Sequence, residues 1–144
     1  MIEITRARAE DFDSISKELL ERGIEISDLE NTMAIYDGKN LLGAAKYKRE
    51  EITAFLEYMV VFEGGPFLDK LKDGLIKSLL NMADIEGVKI FLIQKDADED
   101  FYKKIRFKEL SDRDFVLSMD VDYSRYIYTK LPEFFEHACH SAKK

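Results

Sequence analysis

Both histidines and the single cysteine of this 144-residue chain fall within one short stretch, Glu136-His137-Ala138-Cys139-His140. On a helix Glu136 and His140 are i,i+4 neighbours and His137 and His140 are i,i+3, so two or three of these groups could converge on one metal ion. A closed zinc site takes four ligands, typically from separated pairs, and the sequence has no second cluster. No metal is therefore expected, and the stretch reads as a solvated terminal helix. Cys139 with only His137 beside it is thin support for a thiol nucleophile. The acidic run from Asp96 to Asp100 lacks the glycine and the glutamate spacing of a calcium loop and reads as a helix start. Glu57, in FLEYMVV, is different. Strand alternation sets it on one face with Phe55 and Met59, with Leu56, Tyr58 and Val60 on the other. A carboxylate among apolar neighbours has its ionised form disfavoured, which is how a general base is tuned upward; the alternative is a strand-edge carboxylate in water.

These groups need elements to position them. Ile2 to Thr5 reads as a strand, followed by an amphipathic helix from about Glu10 to Arg22 with Phe12, Ile15 and Leu19 on one face, and by Gly23 as its cap. Thr32 to Tyr36 and Leu41 to Arg49 flank Asp37-Gly38-Lys39-Asn40, a hairpin signal of the type I′ kind. Ile52 to Phe62 is predicted as a third strand of the meander, rich in aromatic and β-branched residues. Gly64-Gly65-Pro66 breaks it and suits a helix start. The helix that follows places Leu68, Leu71, Leu75, Ile76, Leu79, Leu80 and Ala83 on one stripe and stops at Gly87. Val88 to Ile93 is an apolar strand, Glu99 to Ile105 a short helix, and Phe107 to Leu110 and Phe115 to Val121 two further strands. A helix followed by a buried strand argues for a parallel neighbour in the sheet. From Asp122 the character changes: Tyr123, Tyr126 and Tyr128 cluster, and Leu131-Pro132 opens a tail helix.

Composition bounds the function classes. Hydrophobic residues make up 46% and aromatic residues 12% of the chain, enough for one sizeable core. The formal net charge of −7 repels nucleic-acid backbones and favours cationic acceptors such as amines. The opening residues carry charges throughout, and the longest apolar run, Thr53 to Phe62, is about half of the roughly 20 residues that span a bilayer. A lone cysteine fits a reducing compartment, so the expectation is a cytoplasmic protein with no membrane or nucleic-acid partner.

The order of elements and several local sequences resemble the GNAT N-acetyltransferase superfamily across roughly Ile2 to Val121. ITRARAEDFDSISKELL is similar to the family's opening strand and first helix, MAIYDGKNLLGAAKY to its β2–β3 hairpin, FLEYMVV to its β4, and FYKKIRF to its aromatic-Tyr-x-x-x-Gly-Phe segment. The resemblance implies an α+β fold with three layers: a mixed, mostly antiparallel twisted sheet flanked by helices, here with a C-terminal helical tail. It divides the chain into an acyl-CoA-binding domain over 1–121 and an extension over 122–144. It also implies an enzyme that moves an acetyl group from acetyl-CoA, its cosubstrate, to the amine of a small molecule or peptide within a ternary complex. The alternative is a non-catalytic module of the same fold that senses a ligand or binds a protein. Association of two copies is left open.

By the same resemblance Tyr102 supplies a proton to the leaving thiolate, since a phenol with a pKa near 10 is protonated at neutral pH. Glu57 accepts a proton through water, and the backbone of Met59, Val60 and Val61 pairs with the pantetheine arm. The family's Q/R-x-x-G-x-G/A loop, whose backbone N–H groups hold the cofactor pyrophosphate at a helix start, has two placements. One puts it at Leu71-Lys72-Asp73-Gly74-Leu75-Ile76, where only Gly74 follows the pattern. The other uses Gly64-Gly65, with Lys70 or Lys72 supplying positive charge. Arg106 stands where the family keeps a glycine, and Lys95 where it often keeps an asparagine.

Overall fold

The computed structural model describes residues 1–63, 65–96 and 98–135, so the Glu136 to His140 cluster lies outside the described residues. The elements are β1 (Ile2–Arg6), α1 (Phe12–Leu20), β2 (Thr32–Asp37), β3 (Asn40–Glu50), β4 (Thr53–Val61), α2 (Leu68–Ile85), β5 (Ile90–Gln94), α3 (Glu99–Lys104), β6 (Lys108–Glu109) and β7 (Tyr126–Lys130). Residues 131–135 are helical. Among the described residues the strands form one sheet in the order β1-β2-β3-β4-β5-β7-β6. Every pairing is antiparallel except β4 with β5, which the α2 crossover makes parallel. This is the mixed α+β sheet expected from the sequence.

Two faces of this sheet are covered by different means. The stripe Leu75, Ile76, Leu79, Leu80, Met82 and Ala83 of α2 packs on Ile35, Ala45, Tyr47, Ala54, Phe91 and Ile93. Each large side chain so buried is worth about 1.5–3 kcal/mol relative to exposure. On the opposite face Ile15 and Leu19 of α1 cover Ala44 and Tyr58. Beyond α1, no described helix covers Leu92 and Tyr128. The irregular chain does so instead, packing Phe115, Leu117, Met119 and Val121 over them.

That covering corrects one expectation. Phe115 to Val121 alternates apolar and polar residues as a strand would, but it forms no ladder, and the closing strand is β7. The reason is burial. Ile127, Tyr128 and Thr129 are all buried, so this segment loses water on both faces and its backbone groups must pair, whereas 115–121 leaves Val116 84% exposed. β7 lies beyond residue 121, in the stretch set apart above as an extension, and it sits inside the sheet between β5 and β6. The β2–β3 hairpin also differs in detail. Asp37 pairs with Asn40, and of the two residues between them only Gly38 has positive φ, at 62°. That is the pattern of a II′ turn, which takes glycine first, rather than I′.

The buried phenols make a prediction about alkaline stability. Burial raises the pKa of Tyr36, Tyr47, Tyr58, Tyr102 and Tyr128 above 10.0, that of Tyr58 up to about 12. Above pH 10 the unfolded chain releases phenolic protons that the folded chain keeps. Stability is therefore full below about pH 10 and falls as pH rises through the folded values. Urea unfolding from about pH 8 to about pH 11 should show the midpoint holding and then dropping near pH 10. A midpoint flat to pH 11 would contradict the burial of these rings.

Candidate functional site

β5 pairs with β4 only at Thr53↔Ile90, Ala54↔Phe91 and Phe55↔Leu92. From Leu56 to Val61, β4 keeps its ladder to β3, but no described strand pairs with its other edge. The backbone groups along that edge have no strand partner among the described residues. A bulge accounts for the separation. The β3–β4 register passes from Lys46↔Tyr58 to Tyr47↔Leu56, so Glu57 is an extra residue in β4. Bulges bend the strand and increase its local twist.

The same bulge changes which side chains share a face. Leu56, Met59 and Val61 pack with the α2-side core, while Tyr58, Val60 and Phe62 pack on the α1 side. Glu57 therefore does not share a face with Met59, contrary to simple alternation, and its side chain is exposed. It lines a cleft of about 430 Å³ together with Glu25, Asp28, Glu30, Lys46 and Lys48. Lys46 holds this cleft's outer wall. Its ammonium is 2.7 Å from the Asp28 carboxylate and also donates to the carbonyl of Glu30, which ties the α1–β2 connection to β3. Hydrogen bonding to Lys46, then to the Glu30 N–H, keeps the Asp28 carboxyl below the usual range. Lys46 was not singled out from the sequence; its one signal there is a lysine inside the apolar run LLGAAKY.

Against Met59, on the α2 side of the sheet, stands Tyr102, on α3. Its hydroxyl lies 3.9 Å from the Sδ of Met59, and its ring packs edge-on against Phe101 and tilted against Phe107. Only 2% of the residue is exposed, and burial, then the charges of Asp98 and Asp96, raise its pKa well above that of a free phenol. The phenol is thus protonated across the physiological range. The end of α3 explains the family's glycine. The N–H of Phe107 bonds to the carbonyl of Tyr102 and that of Arg106 to Lys103, the double bond pattern of a Schellman cap. Arg106 occupies the left-handed position of this cap with φ 83°, where a side chain costs roughly 1–2 kcal/mol. The cap fixes the Tyr102 and Phe107 rings 5.7 Å apart.

The two placements of the anion loop separate on the structure. Lys72, Asp73, Gly74 and Leu75 lie beyond the first turn of α2, where N–H groups are bonded within the helix. Leu75 and Ile76 are fully buried, and Asp73 pairs with Lys77. An added Cβ at Gly74 would meet only the side-chain tip Cδ1 of Ile4, at 2.8 Å. Gly74 and Leu75 therefore offer no backbone donors. Gly65 instead precedes the helix, with φ 52° and open space around it; Gly64 lies outside the described residues. Gly74→Ala is accordingly expected to leave coenzyme A affinity unchanged. It should hold or raise stability by up to about 1 kcal/mol through helix propensity, read by calorimetry and urea unfolding. A loss of affinity would restore the first placement. Lys72 reaches away from the helix start, with its ammonium 2.7 Å from Asp98.

No family model matches the sequence, and no curated protein matches it. Solved structures do. An acetyltransferase of the GNAT family from Staphylococcus aureus superposes with a TM-score of 0.67 at 18% identity, covering 91% of this chain and 99% of that one. The PaiA N-acetyltransferase of Thermoplasma acidophilum, in complex with coenzyme A, gives 0.61 at 17% identity over 90% of this chain and 99% of that one. The N-acetylglutamate synthase of Neisseria gonorrhoeae, complexed with coenzyme A and N-acetyl-glutamate, gives 0.69 at 15% identity over 91% of this chain. This chain spans only 35% of that enzyme's length. The chain has the GNAT fold, and its structural neighbours are N-acetyltransferases. Among the described residues, no helix is long and apolar enough to cross a membrane.

Proposed function

We propose that this chain transfers an acetyl group from acetyl-coenzyme A to a primary amine of a small molecule or peptide. The observation that carries the reading is the open edge of β4 from Leu56 to Val61, faced by the buried hydroxyl of Tyr102 next to Met59. An unpaired strand edge accepts an extended, amide-bearing chain by main-chain hydrogen bonds, as the pantetheine arm requires. In this reading the backbone of Met59, Val60 and Val61 binds that arm, and Gly64 and Gly65 at the start of α2 receive its phosphates. The bound thioester supplies the activated carbonyl. Tyr102 holds a proton for the departing sulfur, and Glu57, exposed in the cleft, takes the proton released by the amine through water.

A second reading, a non-catalytic module of this fold, draws support from the surface of the helix start. Phe67 is 61% and Leu68 41% exposed there, with Asp69 beside them, an apolar and acidic setting for a phosphate. Calorimetric titration with acetyl-coenzyme A, with native mass spectrometry for co-purified coenzyme A, decides whether the cofactor binds. A micromolar Kd is expected; no heat and no thermal shift at millimolar ligand would end the acetyltransferase reading.

A further inference from the structure

On the α1 side of the sheet three polar side chains stand in one row across the strands: Thr32 on β2, Lys46 on β3 and Tyr58 on β4. All three are buried, at 2%, 9% and 6% exposure. A polar group so enclosed costs free energy unless it is paired. Two of the three are paired with the α1–β2 connection. Thr32 donates to the carbonyl of Glu30, and Lys46 donates to that carbonyl and to Asp28. The third is left over. The Tyr58 hydroxyl has no hydrogen-bond partner among the described residues. Burial is the main cause of its raised pKa, and the charges of Glu57 and Asp28 add to it. Those two carboxylates line the 430 Å³ cleft described above, so the hydroxyl ends at the inner wall of that cleft.

The charges around the cleft do not balance. Lys46 is committed to Asp28 and Glu30, and Arg49 donates to the carbonyls of Glu51 and Glu86, at the β3–β4 turn and the end of α2. Lys48 remains, facing three carboxylates, Glu25, Glu30 and Glu57, none of which has an ion-pair partner among the described residues. A cleft of this volume suits a small molecule, and its surplus of carboxylates attracts cations and repels anions. Ile24, Ile26 and Leu29 of the connection pack on the cluster that contains Tyr58. Residues 24–31 form no helix or strand, so this cover can yield by the small distance an ammonium needs.

Resting on the acetyltransferase reading, we infer that the acceptor is a small amine carrying a second positive charge, a diamine or polyamine, whose distal ammonium is held in this cleft by Glu25, Glu30 and the Tyr58 hydroxyl. An ammonium offers three donors and no acceptor, so two carboxylates and a phenol oxygen satisfy it completely. The other amine, uncharged, then stands on the Glu57 side of the cleft, toward the open edge of β4. Its nitrogen attacks the thioester carbonyl. The C–N bond forms, the C–S bond breaks, the sulfur leaves with the proton of Tyr102, and the proton of the nitrogen passes through water to Glu57. Exchange with solvent resets both groups. The amide nitrogen of the product is neutral, so an acetylated diamine has only one charge left and a second acetylation is disfavoured.

The test is acetylation of three probes of similar length, 1,4-diaminobutane, butylamine and 4-aminobutanoate, with acetyl-coenzyme A. The proteins are wild type, Tyr58→Phe and the Glu25→Gln/Glu30→Gln double variant. For wild type, kcat/KM should be at least about tenfold higher for the diamine than for butylamine, and lowest for 4-aminobutanoate. In the double variant the ratio of diamine to butylamine should fall toward one, with the loss in KM. In Tyr58→Phe it should fall about threefold with no drop in the urea midpoint, because the lost hydroxyl had no partner within the protein. The second acetylation of the diamine should be about tenfold slower than the first. A wild-type ratio near one, a ratio that survives in either variant, or a second acetylation as fast as the first overturns the inference and leaves the acetyltransferase reading standing. So does a protein that binds coenzyme A yet acetylates none of the probes and gives no calorimetric heat with the diamine. A folded protein that ignores coenzyme A removes the acetyltransferase reading itself, and this inference with it.

Discussion

Tyr102→Phe is expected to lower turnover at least about 10²-fold while leaving coenzyme A affinity within twofold of wild type. Loss of a positioned general acid typically costs 10²–10⁴ in rate. The substitution removes one oxygen whose hydrogen-bond partner among the described residues is the thioether of Met59 at 3.9 Å, and sulfur is a weak acceptor. The ring keeps its packing on Phe101 and Phe107, so the fold should not register the change. Stability should be unchanged or slightly raised, because a buried hydroxyl with so weak a partner stabilises little. The check is kcat measured beside a calorimetric Kd and a urea midpoint, with any amine that wild type acetylates. Turnover within twofold of wild type would exclude Tyr102 as the acid and leave it a core aromatic.

Gly43→Ala is expected to cost roughly 2–3 kcal/mol of stability. Gly43 pairs with Val61 across β3 and β4. A Cβ there would stand 2.7 Å from the carbonyl oxygen of Val60 and 3.1 Å from the Cα of Val61. Both are backbone atoms, so no side chain can swing aside, and β3 must separate from β4. The displaced residues are the ones whose other edge has no strand partner, so in the proposed reading coenzyme A affinity should fall together with stability. Gly74→Ala is the control, since the atom its Cβ meets is the movable end of Ile4. Equal effects from the two alanines, or a loss at Gly43 below about 0.5 kcal/mol, would show that the β3–β4 approach is looser than described.

Much of the architecture was legible because the segments that form it obey one period each. The stripe from Leu68 to Ala83 repeats at helical spacing, and it became α2. The meander from Thr32 to Phe62 was legible through its β-branched and aromatic content and its turn residues, and it became β2, β3 and β4. The last third misled for a physical reason. Phe115 to Val121 has the strand period, yet alternation specifies only which side chains are buried, and a loop packed over Leu92 and Tyr128 buries the same ones. Tyr126 to Lys130 carried little alternation because it is covered on both faces, and its aromatic cluster read as a tail.

The site divides along the same line. Residue type and local spacing were enough to single out FYKKIRF, FLEYMVV and Gly64-Gly65-Pro66 as candidates and to give an α+β order of elements. They could not say which face Glu57 takes, because a bulge is a mismatch between two strands and exists only once β3 and β4 are paired. Nor could they choose between glycines. Whether Gly74 or Gly65 has free backbone around it depends on where α2 begins and on Ile4 from the distant β1. The hold of Lys72 on Asp98 and of Lys46 on Asp28 likewise joins groups far apart in the chain. The sequence by itself determined which groups are present and the period of each element. Only the tertiary structure decided which of those groups meet, since packing, and not spacing along the chain, brings charge to charge and leaves a strand edge open.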